Sequence, residues 1–452
     1  MTPAVSRSSP RTTELGLILL VALITTGAYI LAGFGTLASL PVNIGPFLVI
    51  ILALLVAAHV ATRRLAPHGD RILLPLACLL NGIGYVIIAR LDENLAGLQA
   101  TWTAVGIGAY IATLFLIRRT RDLERYRYSF MLLGVGLLLM PLLPVIGRNI
   151  NGARIWVRLG PLSFQPGELA KIALALFFAS YLIEKRELLG KAARHLGPIA
   201  LPKLRHLGPV LLAWGASMVV MMAERDLGSS LLFFTFFVVM LWVATERSSY
   251  LVLGTLLFSA GATVAWQAFA HVQVRVSMWL DPWQNISQSV PQIAEAIFAM
   301  SWGGIAGTGL GLGQPRRIPA NATDFIFAAI GEELGLLGTT AIIISFVLIV
   351  GTGLRIALRA TNPFDKLLAT GLTSIIGFQA FIIIGGVIRL VPLTGITLPF
   401  VSYGGSSLVA NYILVALLMR ISNATYEQAQ QEATNALVDD QYQPAQVFGP
   451  NS

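Results

Sequence analysis

Residues 14–35 read ELGLILLVALITTGAYILAGFG, a run in which Glu14 is the only charge. At ~1.5 Å per helical residue, such a run crosses a hydrocarbon core of ~30 Å. It begins too late and runs too long for a secretory leader, and no A-x-A-like site closes it. It is therefore expected to stay as a helix. Further apolar runs follow at 45–62, 72–89, 98–117, 129–147, 167–184, 208–223, 229–244, 249–270, 337–358, 367–388 and 404–421. The pattern predicts an all-α polytopic membrane protein of about twelve spans.

Composition agrees. Of the 452 residues, 56% are hydrophobic and 12% charged, against roughly 45–50% and ~25% in soluble domains. Mean hydropathy is +0.74. A disordered chain, a coiled coil and an ordinary cytosolic enzyme are excluded. The single cysteine, Cys78, allows no internal disulfide, and the five histidines show no paired metal-ligand spacing. The net charge of +9 is read as basic cytoplasmic loops, not as a nucleic-acid surface.

The loops predict the orientation. With the N-terminus inside, 21 of the 31 Lys and Arg fall on cytoplasmic segments and nine on the outside. Both termini are expected in the cytoplasm of a multi-pass protein of the cytoplasmic membrane. The expected organisation is an N-tail over 1–13, N-terminal spans over 14–117, a core over 118–422 and a tail over 423–452. Residues 148–166 are too polar to span, and residues 271–336 form the largest extracytoplasmic segment. Apolar stretches within that segment are too short to cross, so interfacial or re-entrant helices are expected there. Such backbone needs protein or water around it, which implies a cavity at the outer face. The Gln/Ala-rich chain from Thr425 is expected to be loosely ordered.

Chemistry concentrates at the outer ends of the spans. The outside cations are all arginine, the residue that binds phosphate bidentately. Glu168 and Lys171, three apart, share one helix face. They form either a structural ion pair or the wall of a polar cavity. Asp226 follows Glu224 and Arg225 in an outer turn, where it either caps the next helix or faces substrate. Asp324 is an acid at the mouth of an Arg-lined cavity, a general-base candidate if it is not a helix cap. The glycine series Gly307–Gly313 is read as loop-forming, because it follows no strand and opens no nucleotide-binding unit.

Four blocks carry a family resemblance: Asn151-Gly152-Ala153-Arg154-Ile155-Trp156 continuing to Phe164-Gln165-Pro166-Gly167-Glu168-Leu169-Ala170-Lys171; Asp226-Leu227-Gly228-Ser229-Ser230; Gly303-Gly304 through Thr323-Asp324-Phe325-Ile326-Phe327 and Gly331-Glu332-Glu333-Leu334-Gly335; and Pro392 to Phe400 ending Ser402-Tyr403-Gly404-Gly405-Ser406-Ser407. With them the chain resembles the SEDS family of shape, elongation, division and sporulation proteins. The family usually has ten spans, so two extra ones are placed at the N-terminus. The absence of a long cytoplasmic extension leans to the RodA-like branch.

The resemblance implies a peptidoglycan glycosyltransferase that polymerises lipid II at the outer face and works with a class B penicillin-binding protein. It implies Asp324 as the essential base, with Glu168, Lys171 and Asp226 as substrate-site residues. Asp324 would deprotonate the acceptor 4-hydroxyl, and one displacement at the donor C1 would invert an α-linked donor to a β-1,4 bond. Arg154, Arg158 and Arg225, or a divalent cation such as Mg or Mn, would stabilise the departing pyrophosphate. No organic cofactor is expected. Competing readings are a lipid II flippase and a noncatalytic scaffold for the penicillin-binding protein.

Overall fold

In lipid a spanning segment has to satisfy its own backbone, so the apolar runs become helices. The computed structural model describes residues 12–40, 44–144, 146–150, 153–159, 162–190, 194–196, 199–201, 215, 218, 219, 222, 224, 226–283 and 292–442. Its principal helices are α1 (Thr12–Leu37), α2 (Ile44–Leu65), α3 (Leu73–Leu91), α4 (Glu93–Leu116), α5 (Arg127–Leu139), α6 (Gly167–Glu184) and α7 (Leu227–Thr245). They continue with α8 (Ser249–Ala268), α9 (Ala270–Leu280), α10 (Gln292–Gly303), α11 (Ile326–Arg359), α12 (Pro363–Val387) and α13 (Gly405–Tyr442). Eleven of the expected spans coincide with helices, and the expected span 208–223 lies largely outside the described residues. Nine described helices are long and apolar enough to cross a membrane. Helix α6 falls outside that set because it carries Glu168, Lys171 and Glu184, and α5 is short.

Helices α12 and α13 are mostly buried, whereas α1, α2 and α8 are peripheral. Helix α1 packs on α3, and α2 packs on α4. At the core, Tyr412 of α13 hydrogen-bonds Asn81 of α3 at 3.0 Å, which satisfies two polar groups inside the bundle.

The large loop is built around a broken helix. Within α11, Gly335 has φ +64° and ψ −161°, a conformation open to glycine. The break strands backbone groups on both sides, and the glycine-rich stretch takes them up. Thr308 N donates to Glu332 O (2.9 Å) and Gly309 N to Glu333 O (3.0 Å). Leu336 N donates to Gly304 O (2.9 Å) and Leu337 N to Ile305 O (3.1 Å). This gives the loop-forming reading of Gly307–Gly313 its physical basis. The expected short helices are present as α9, α10 and the first turns of α11.

Two expectations are corrected. The fold is mostly helical but not all-α, and the described residues of 148–166, expected only to be too polar to span, are not helical. They hold a three-stranded antiparallel sheet of β1 (Gly147–Ile150), β2 (Ala153–Leu159) and β3 (Leu162–Phe164). Val157 pairs with both Gly147 and Phe164. It is fully buried while the neighbouring Arg158 is exposed, as the twofold strand period requires. The described residues after Thr425 are helical, because α13 runs on to Tyr442. Ala, Gln and Glu are strong helix formers, and neither Gly nor Pro interrupts the run.

Candidate active site

Four of the residues singled out from sequence, Asp324, Glu168, Lys171 and Asp226, meet around one segment, 392–404, that joins α12 to α13. Asp324 sits on a tight turn just ahead of α11, where Thr323 N and Phe325 N both donate to Ala320 O (3.1 and 3.2 Å). Two bonds clamp this turn to the segment. Ser402 Oγ donates to Thr323 O at 2.6 Å, and Tyr403 N donates to Ala322 O at 2.8 Å. The same Ser402 hydroxyl accepts from Leu398 N at 2.9 Å. The backbone on both sides of Asp324 is thereby fixed.

Arg275 of α9 reaches the segment from the other side. Its Nη1 donates to Thr394 O at 2.6 Å and Leu393 O at 3.2 Å. Gly395, with φ +77°, lies beside both charges. A β-carbon there would stand 3.6 Å from Arg275 Nη2 and 3.7 Å from Asp324 Oδ2. Burial pushes the Asp324 carboxyl up to about 6, while the Arg275 guanidinium and the Thr323 hydroxyl pull it back down. The result is a carboxylate that is ionised at neutral pH and still basic enough to take a proton.

Glu168 and Lys171 form a buried ion pair at 2.8 Å. Lys171 Nζ also donates to Gln379 Oε1 at 2.9 Å, and Gln379 Nε2 donates to Thr397 O at 2.8 Å. The pair therefore braces the same segment through Gln379. Asp226 is buried and accepts from Ser229 N at 3.0 Å, so it caps α7, as one reading of the turn expected. Next to it, Gly228 abuts Thr394 and Ile396. Burial raises the Asp226 carboxyl. Glu224 is pushed up to about 8 by burial and by the Asp226 charge. One Glu224 oxygen and the Thr394 and Thr397 hydroxyls have no hydrogen-bond partner among the described residues. A buried polar atom left so costs ~1–3 kcal/mol, and a sugar hydroxyl or a water would offset it.

The arginines expected at the site are spread out. Arg154 N donates to Glu224 O at 3.1 Å, which pins the sheet beside the Asp226 turn. Arg158 lies exposed on β2, and Arg225 lies outside the described residues. Arg275 was counted among the outside arginines but not singled out. Its one sequence signal was a cation in a segment otherwise read as interfacial. Gln379, an amide inside an apolar span, also went unmarked. Among the described residues no group of three or more His, Cys, Asp or Glu side chains converges to hold a metal.

The expectation that buried charge gathers at one end of the spans is also too simple. At the opposite end, Glu14 meets His59 at 2.9 Å and Asp365 accepts from Thr120 at 2.5 Å. Arg420 there donates to Leu65 O at 2.6 Å. These bonds tie helix ends together.

Comparison with known proteins places the arrangement. The FtsW/RodA/SpoVE family model, described as cell cycle protein, matches residues 73–427. The match begins at the first residue of α3 and leaves α1 and α2 outside. The peptidoglycan glycosyltransferase RodA of Mycobacterium tuberculosis is 45% identical over 424 residues, covering 91% of this chain and 90% of that one. Stage V sporulation protein E of Bacillus subtilis is 32% identical, covering 80% and 98%. Among solved structures, a chain of a peptidoglycan synthase complex that coordinates polymerization and crosslinking superposes with TM-score 0.63 at 26% identity, covering 79% and 98%. The rod shape determining protein RodA of Thermus thermophilus gives 0.55 at 26% identity, with the same coverage.

Proposed function

The chain belongs to the FtsW/RodA/SpoVE family, and from that premise we propose a membrane peptidoglycan glycosyltransferase whose base is Asp324. The substrate is lipid II, and the Asp324 end of the bundle faces outside with both termini in the cytoplasm. The observation that carries the reading is the Asp324 carboxyl, held near 6 on a turn bonded at Ala322 and Thr323.

Asp324 takes the proton of the acceptor sugar's 4-hydroxyl as that oxygen attacks C1 of the donor sugar. The C1–O bond to the undecaprenyl pyrophosphate breaks, its electron pair leaves with the phosphate, and C1 inverts to the β-1,4 link. Pyrophosphate is a good leaving group, so a separate acid is not required. Arg275 keeps Asp324 ionised, and its bonds to the 393–394 carbonyls fix its position. The Thr394 and Thr397 hydroxyls, buried and without a partner among the described residues, lie in the segment beside Asp324, where a bound water would satisfy them. Glu168 and Lys171 act by bracing the segment through Gln379, and Asp226 by ordering the start of α7. Arg154, Arg158 and Arg225 remain proposed phosphate ligands. A divalent cation would need the substrate's phosphates to complete its shell, since Mg²⁺ is commonly held by one or two carboxylates plus phosphate.

The solved synthase complex supports a crosslinking partner, which we assign as a class B penicillin-binding protein. The test is polymerisation of labelled lipid II by the purified chain with that partner. Glycan ladders are expected from the wild type and none from Asp324→Asn. Ladders of equal yield from a folded Asp324→Asn would refute the base assignment.

A further inference from the structure

A large space lies away from Asp324, between α1, α2, α3 and α4. Its volume is about 800 Å³, within the ~300–1,000 Å³ of small-molecule sites. One wall is aromatic: Tyr29 stacks on Phe47 and Phe47 on Tyr85, with centroids 4.1 and 5.1 Å apart. The α4 wall is formed by short side chains, including Gly97 and Ala100. A β-carbon on Gly97 would meet nothing within 4 Å. Toward the middle of the bundle the space narrows to an apolar slot of about 60 Å³ that shares Phe47, Ile50, Tyr85 and Ala100 with it and reaches Leu55 and Ile107. Toward the Asp324 end its rim is polar, with Thr36, Arg90, Glu93 and Thr101.

The rim charges are unequal. Arg90 is engaged, with Nε 2.9 Å from Glu333 Oε1 and Nη2 2.8 Å from Gly313 O. Glu93 is exposed and forms no ion pair among the described residues. Arg316, which donates to Arg90 O at 3.4 Å, lies beside the rim and not in its lining. With Arg90 offset by Glu333, Glu93 is the uncompensated charge among the residues lining the rim. That charge attracts a headgroup ammonium and repels an anionic headgroup. A partner helix, ~10–12 Å across with its side chains, would have to displace one of the four walls. A single flexible hydrocarbon chain fits the taper from polar rim to apolar slot.

We infer that this space binds one ethanolamine phospholipid from the leaflet at the Asp324 end. A hydrocarbon chain lies in the slot and the amine lies at Glu93. The two helices outside the family match thereby form, with α3 and α4, a lipid site that the matched region alone cannot enclose.

The test uses the full chain reconstituted in vesicles of phosphatidylethanolamine and phosphatidylglycerol in equal amounts, with undecaprenyl phosphate added. Native mass spectrometry after gentle detergent extraction counts the retained lipids. The wild type is expected to keep one phosphatidylethanolamine. Gly97→Leu and Ala100→Phe, which fill the space, are expected to lower that occupancy about tenfold, or ~1.4 kcal/mol. Gly108→Leu, on α4 where a β-carbon also meets nothing, is expected to keep it. Glu93→Gln should retain a lipid but lose the headgroup preference. Unchanged retention in filled variants that unfold at the wild-type temperature would overturn the inference. So would wild-type preference for phosphatidylglycerol or undecaprenyl phosphate. If both filled variants fail to fold, an unchanged headgroup preference in Glu93→Gln overturns it alone.

Discussion

Arg275 and Asp324 both close on the β-carbon position of Gly395, so that a β-carbon at 395 would touch both charged groups, at 3.6 and 3.7 Å. Two carbonyls hold the arginine, and a doubly bonded turn holds the aspartate. The electrostatic coupling is therefore preorganised, the condition under which a fixed charge is most effective.

The coupling sets a pH dependence. Asp324 titrates near 6 with Arg275 lowering it, and only the ionised form accepts a proton. Polymerisation is expected to fall as pH drops through about 6. In Arg275→Gln the acid limb should move to higher pH, with activity recovering partly in alkaline buffer. A pH–rate profile checks this. Equal loss at every pH would show that Arg275 acts only by holding the segment.

The same burial makes Asp324 a stability liability. Its carboxyl is raised from 3.8 to about 6 in the folded protein, so the folded state binds the proton more tightly than the unfolded state. The unfavourable contribution is absent below about 3.8, grows as pH rises, and is complete above about 6. Asp324→Asn should then be more stable than the wild type at neutral pH by ~3 kcal/mol, and unfold at a higher temperature, while losing activity. Thermal unfolding in detergent at pH 5 and pH 8 reads this directly. The gain should be larger at pH 8.

Much of this was legible in the sequence, and its limits are physical. Helical spacing put Glu168 beside Lys171, and a short acid before an apolar run marked Asp226 as a cap, because both relations lie within one turn of chain. Asp324 was legible as an acid next to an apolar helix start. Arg275 and Gln379 were not, because their partners Thr394 and Thr397 come from a segment whose position depends on how α9 and α12 pack. The glycine series was recognisable as a loop former. Its purpose depends on the break at Gly335, which no local pattern announces. The helical course of α13 beyond Thr425 has no apolar stripe to mark it in so polar a stretch, and only the helix propensity of Ala, Gln and Glu points to it.

The Glu168–Lys171 pair should separate structure from chemistry. Removing one partner leaves a buried charge and is expected to destabilise by about 3–5 kcal/mol. Lys171→Met alone should therefore lower both the unfolding temperature and the activity. The double variant Glu168→Gln, Lys171→Met removes both charges and should regain most of the stability. If its activity stays low, the brace through Gln379 to Thr397 is what polymerisation needs. If activity returns with stability, the pair is a packing device.

The contact between α1 and the glycine loop predicts a long-range effect of the extra helices. A β-carbon on Gly35 would stand 2.1 Å from Leu310 O, and one on Gly311 would stand 2.6 Å from Ala32 O. Backbone meets backbone there, and neither side can yield by rotating a side chain. Gly311 N in turn donates to Glu333 Oε2 at 3.2 Å, and Glu333, on the helix α11 that starts just after Asp324, pairs with Arg90 of α3. Gly35→Val should push the glycine loop off α1, disturb the Glu333–Arg90 pair, and lower polymerisation about tenfold. Gly27→Val, on the same helix with nothing within 4 Å of its β-carbon, should leave activity unchanged. Hydrogen exchange at 304–318 should rise in the first variant and not in the second. Equal activity in both would show that α1 merely covers the loop, without holding it in place.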